Sequence, residues 1–142
     1  MTIIAEEIKY NHNSKTIFEI QKEVDFTVLT PKRIPSDWTL DTKTTPWLML
    51  HYMDNKDTKL MVSIHLSKGS RVPYDGFPHS QQVDINGNIG YFQEWGNSGE
   101  VDENGDTITG GLLNWSQDGT YVEMNSSRLS KEAILEIARS MS

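Results

Sequence analysis

The sequence predicts an α+β fold: a single antiparallel β-sheet of consecutive hairpins, with a short N-terminal helix and a C-terminal helix packed on one face. Three observations predict it. First, Asp118-Gly119 separates two alternating apolar runs, and this dipeptide suits a two-residue turn whose central residues both need φ > 0. Second, residues 47–53 and 58–66 make another pair of alternating runs. Third, the chain closes on a capped amphipathic helix. Hairpin-linked strands exclude a parallel, doubly wound sheet, and helices set at the ends of an antiparallel sheet define the α+β layer arrangement.

Taken in order, residues 1–13 form an N-terminal arm, and residues 14–142 a single domain. Asn13 or Ser14 caps a helix over 15–23, where Ile17, Ile20 and Val24 recur at helical spacing. Phe26, Val28 and Leu29 suggest a short strand, ended by Pro31. The stretch 31–38 is a loop, because two prolines remove donors and fix φ. Strand signals resume over Trp38–Thr42. In the next hairpin, a two-residue loop would put the two apolar sets on opposite faces. An odd loop of Asn55-Lys56-Asp57 pairs Leu48 with Ile64, Leu50 with Val62 and Tyr52 with Leu60, and keeps one face buried. Residues 67–80 are punctuated by Gly69, Pro73, Gly76 and Pro78 and read as irregular.

A third hairpin turns at Asn86-Gly87, where the signals conflict. Asn-Gly favours a two-residue turn, whereas a three-residue loop puts Val83 and Ile85 on one face with Ile89 and Tyr91. Its register is left open. In the last hairpin, chemistry and pattern agree: Gln117 faces Thr120, Trp115 faces Val122 and Leu113 faces Met124. Ser130 then caps the closing helix, Leu129 and Ile134 form a hydrophobic staple, and Ile134, Ile137, Ala138 and Met141 make one buried stripe.

Composition narrows the function classes. The chain has 142 residues, enough for one domain with a real core. Its 13 Lys and Arg against 20 Asp and Glu give a net charge of −7. That disfavours sequence-independent nucleic-acid binding, which needs a basic footprint, and charge-driven attachment to anionic lipid. No apolar run approaches the ~20 residues of a membrane helix, so no membrane contact is expected from this segment itself. With no cysteine, thiolate catalysis, disulfides and Cys-based zinc sites are excluded.

No nucleophile elbow, phosphate loop, dinucleotide fingerprint or His-Glu-x-x-His helix occurs. No catalytic residue, cofactor or metal ligand is assigned, and the chain is expected not to be an enzyme. His51 and His65 share the solvent face of the second hairpin. In the register above they lie four residues apart along the strands, about 13 Å at ~3.3 Å per residue, too far to share an ion. His12 and His79 fall in loops. The acidic loop 97–106, with Asp102, Asn104 and Asp106, resembles the start of a calcium loop. Thr107 replaces the required Gly, however, and Leu113 the bidentate Glu. The aromatic residues of the middle of the chain are the candidate ligand or partner surface: Trp47, Tyr74, Phe77, Phe92 and Trp95. Tyr91 and Phe92 are consecutive on a strand, so one of them faces away from the core.

Three segments carry a family resemblance: residues 26–38, with Pro31 and Pro35 before Trp38; Val83 to Tyr91, with Gly87-Asn-Ile-Gly90-Tyr91; and Leu113-Asn-Trp115 through Asp118-Gly119 to the capped helix ending near Ala138. Over residues 16–142 the chain resembles the domain of unknown function numbered four-three-six-seven. The resemblance implies the C-terminal, extracytoplasmic end of a membrane-anchored protein of a Gram-positive bacterium. It implies no catalytic residues. The expected function is a monomeric, non-enzymatic binding or sensing module for an unknown protein or a small apolar ligand, membrane-anchored or secreted. The alternatives are an acidic partner-binding protein of the inhibitor or immunity type, and a small enzyme with a site built from distant loops.

Overall fold

The computed structural model describes residues 9–10, 14–69, 80–95, 100–101, 105, 107–108 and 110–142. Eight strands make one sheet: β1 (Lys9–Tyr10), β2 (Thr39–Lys43), β3 (Leu48–Met53), β4 (Leu60–Lys68), β5 (Gln81–Ile85), β6 (Asn88–Glu94), β9 (Gly111–Gln117) and β10 (Thr120–Ser126). Their spatial order is β1-β2-β3-β4-β10-β9-β6-β5. A separate two-stranded ribbon pairs β7 (Glu100–Val101) with β8 (Thr107–Ile108). Every pairing in the large sheet is antiparallel except β1 with β2, which is parallel. The arm therefore does not stand wholly apart. Lys9 and Tyr10 extend the sheet, and the Tyr10 hydroxyl accepts the Ile17 N–H at 3.0 Å.

The closing hairpin has the register its sequence requires, with Gln117 opposite Thr120, Trp115 opposite Val122 and Leu113 opposite Met124. Asp118 and Gly119 take φ of 52° and 81°, the left-handed pair of the two-residue turn. At Asn86-Gly87 the same turn forms, with φ of 56° and 87°, and places Ile85 opposite Asn88 and Val83 opposite Gly90. Turn chemistry thus prevails over the alternation of Ile89 and Tyr91. Ile85 and Phe92 go to the core, while Ile89 stays exposed. A β-carbon on Gly90 would lie 2.9 Å from the Asn114 carbonyl oxygen, so no side chain fits there beside Trp115.

The β3–β4 hairpin differs from the sequence reading by two residues. Leu48 pairs with Leu66, Leu50 with Ile64 and Tyr52 with Val62, and a bulge follows at Met53. The loop is longer than three residues because the Asp54 N–H donates to the Lys59 carbonyl and the Asp54 carboxylate accepts the Thr58 and Lys59 N–H groups. A shift of two keeps side chains on their faces, so Leu48, Leu50, Tyr52, Val62, Ile64 and Leu66 are buried as expected, whereas Leu60, beyond the bulge, is corrected: it is 40% exposed.

Helix α1 (Ile17–Glu23) starts at Thr16, later than expected, because Thr16 and Glu19 form a capping box. No regular strand forms at Phe26–Leu29. That stretch is tied instead to the C-terminus, with Thr30 and Ser142 exchanging N–H···O bonds of 3.1 and 3.2 Å. Helix α2 (Lys131–Arg139) begins at Ser130, whose hydroxyl accepts the Ala133 N–H at 3.2 Å. It buries Ile134, Leu135, Ile137 and Ala138. Ser130→Ala is expected to lower stability by about 0.5–2 kcal/mol through loss of this cap, read from the midpoint of urea unfolding.

One core joins both helices to one face of the sheet, from Leu40, Leu50 and Ile64 through Met124 and Leu113 to Phe92, with Ile20 and Ile137 above. The fold is thus two layers, sheet and helices.

Candidate functional site

Since side chains alternate along a strand, the register also defines the face away from the core. Two rows of paired residues cross it. One runs Lys43, Met49, His65, Glu123, Asn114, Tyr91, Gln82, and the other Asp41, His51, Ser63, Asn125, Leu112, Gln93. Ser63 and Asn114 are buried within these rows, while Met49, His51, Tyr91 and Leu112 are half-buried. Polar groups packed this closely form a built surface and not a loosely solvated one.

The two-residue shift of β3 against β4 changes the histidine geometry. His51 faces Ser63, and His65 faces Met49. The two imidazoles are therefore diagonal neighbours, about 7–8 Å apart between Cα atoms, and the 13 Å separation expected from the sequence is corrected. His65 Nδ1 lies 3.5 Å from Glu123 Oε1. The Trp47 ring sits 5.9 Å from the His65 ring at 56°. Asp41 stands across from His51, and its carboxylate accepts from Ser14 at 2.8 Å and Lys43 at 3.2 Å. Neither the Glu123–His65 contact nor the row it belongs to was legible locally, since it needs β4 beside β10.

Burial pushes the His51 imidazole below its ordinary value near 6.5, Asp41 opposes that shift and Lys43 reinforces it. Folding therefore favours neutral His51. The contribution is full above pH 6.5 and is lost as pH falls towards the lowered value. In urea unfolding between pH 7 and 5, His51→Gln is expected to flatten the fall in stability. An unchanged slope would assign that fall to other groups.

Of the five aromatic candidates, Trp47 is 62% exposed at the margin of this face. Trp95 is partly exposed and lines a cleft of about 230 Å³ with Lys59, Leu60, Ser127 and Arg128 at the sheet's end. Phe92 is corrected: it is fully buried in the core, and Tyr91 takes the outward position. Tyr74 and Phe77 lie outside the described residues, as do His12, His79 and most of the acidic loop 97–106. The three described, Trp47, Phe92 and Trp95, therefore do not form one surface.

The chemistry available is limited. Asp41, His51 and Ser63 occupy one row in the order of a hydrolytic relay, yet among the described residues no hydrogen bond joins His51 to Ser63, and Asp41 is engaged by Ser14 and Lys43. No three His, Asp or Glu side chains gather to hold an ion among the described residues. Likewise, no helix there is long and apolar enough to cross a membrane.

A protein-family model described as a domain of unknown function, DUF4367, matches residues 28–141, from just after α1 to the end of α2. No curated protein and no solved structure matches the chain.

Proposed function

We propose, from the premise that the chain belongs to this family of domains of unknown function, that it is a non-enzymatic binding or sensing module. In this reading it is carried outside the cytoplasm by a membrane-anchored or secreted bacterial protein. It acts as a monomer and meets its protein or small-molecule partner on the sheet face away from the helices. One observation supports this most: that face carries two ordered rows of half-buried polar and aromatic side chains. Tyr91 and Met49 within these rows are of the residue types enriched at interface cores.

Two experiments test it. A phosphatase reporter fused to the protein in its own host should be active, because that enzyme works only outside the cytoplasm; an inactive fusion that is stably made refutes the location. Photo-cross-linking residues placed at Tyr91 and Leu112 should give partner adducts in intact cells, and those at Glu132 and Glu136 on α2 should not. The reverse pattern refutes the face. Labelling of Ser63 by a fluorophosphonate would replace the binding reading with a hydrolase.

A further inference from the structure

We propose that Met49, His51 and His65, brought together on adjacent strands, form a binding site for a monovalent copper ion. The site rests on the binding face described above and gives it a ligand.

The register carries the geometry. Met49 faces His65 directly across β3 and β4, and His51 follows Met49 by two residues on the same face. One thioether and two imidazoles thus stand at the corners of a triangle with sides of about 5–8 Å between Cα atoms. Side chains of this length, pointing the same way, can converge on one ion. All three are partly accessible.

The ligand types choose the ion. A thioether cannot ionise and binds soft ions, while imidazole suits copper as well as zinc. A hard cation would need several oxygens, and no cluster of three His, Asp or Glu is present among the described residues. Two neighbouring contacts support the assignment. Glu123 Oε1 lies 3.5 Å from His65 Nδ1, the position of an outer-shell carboxylate beside a ligating histidine, and Nε2 is the nitrogen assigned to the ion. The Trp47 ring lies 5.9 Å from the His65 ring and covers that ligand on one side. Lys43 is the opposing charge, across from Met49, and its ammonium is held by the Asp41 carboxylate.

The test uses silver(I) as a redox-inert stand-in, then copper(I) without oxygen against a chromophoric chelator. With the unmodified domain, one equivalent of silver should shift the Met49 methyl signal and the His51 and His65 ring signals together, then saturate. Met49→Leu and the pair His51→Gln with His65→Gln should each abolish competition with the chelator, while the melting temperature stays near that of the parent. Glu123→Gln should weaken binding by about 10–100-fold, as loss of an outer-shell partner does. The proposal is overturned if no signal saturates, if only Met53 and Met61 respond, or if zinc binds and Met49→Leu leaves its affinity unchanged. Failure here leaves the cross-linking and reporter results intact, so the ion and the binding face stand or fall separately.

Discussion

Replacing Trp115 by alanine is expected to lower stability by about 3–5 kcal/mol, as truncation of a fully buried aromatic does. Trp115 has no exposed surface and packs between Val122 and Gly90 on the neighbouring strands. Its indole N–H donates to Gln117 Oε1 at 3.0 Å. That oxygen also accepts from Asn86 at 3.1 Å, and Gln117 Nε2 donates to the Met141 carbonyl at 3.0 Å. The ring therefore supports a buried polar junction joining the Asn86-Gly87 turn, β9 and the C-terminus. Alanine would leave both a cavity and a partly unsatisfied glutamine. Trp115→Phe should lose less, since it keeps most of the packing and gives up the N–H. Urea unfolding monitored by circular dichroism reads both; a loss under about 1 kcal/mol for the alanine variant would contradict the burial.

Removing residues 129–142 is expected to abolish the cooperative unfolding transition altogether. A nine-residue helix is marginal in water alone, so α2 is helical because its apolar stripe packs on the sheet. The sheet depends on α2 in return. Ile134, Ile137, Ala138 and Met141 cover the core. Beyond the helix, Ser142 pairs with Thr30, and the Ser140 hydroxyl accepts the Lys32 and Arg33 N–H groups, each at 3.0 Å. Truncation would expose the core and free the 27–33 segment together. Ile137→Ala isolates the packing part and should cost about 2–5 kcal/mol. If the truncated chain melts at the parent temperature, α2 is a detachable interaction element and the two-layer description fails.

The sequence alone determined the parts governed by neighbours along the chain. Asp118-Gly119 specified its turn and, through it, every pairing of β9 with β10, because the turn's backbone and the buried face required the same register. Ser130 specified where α2 begins. The α+β class followed from the same local signals. The resemblance carried by Phe26 to Trp38, Val83 to Tyr91 and Leu113 to Ala138 led to the family that the chain belongs to. At Asn86-Gly87 two local signals disagreed, and the turn prevailed: Asn86 and Gly87 take the left-handed pair, Ile85 enters the core and Ile89 stays exposed.

Only the tertiary structure decided the rest. The β3–β4 register moved by two residues because the Asp54 carboxylate closes a longer loop and a bulge absorbs the difference. Alternation is blind to an even shift, since each side chain keeps its face. That shift nevertheless brought His51 and His65 from about 13 Å to diagonal contact distance. The pairing of β4 with β10, which places Glu123 beside His65, joins segments far apart in the chain through backbone hydrogen bonds that any residues could make. The sequence of side chains therefore held most of the core in view, and placed His51 and His65 on one face. The distances between them were decided by strand order and loop length, which no local pattern encodes.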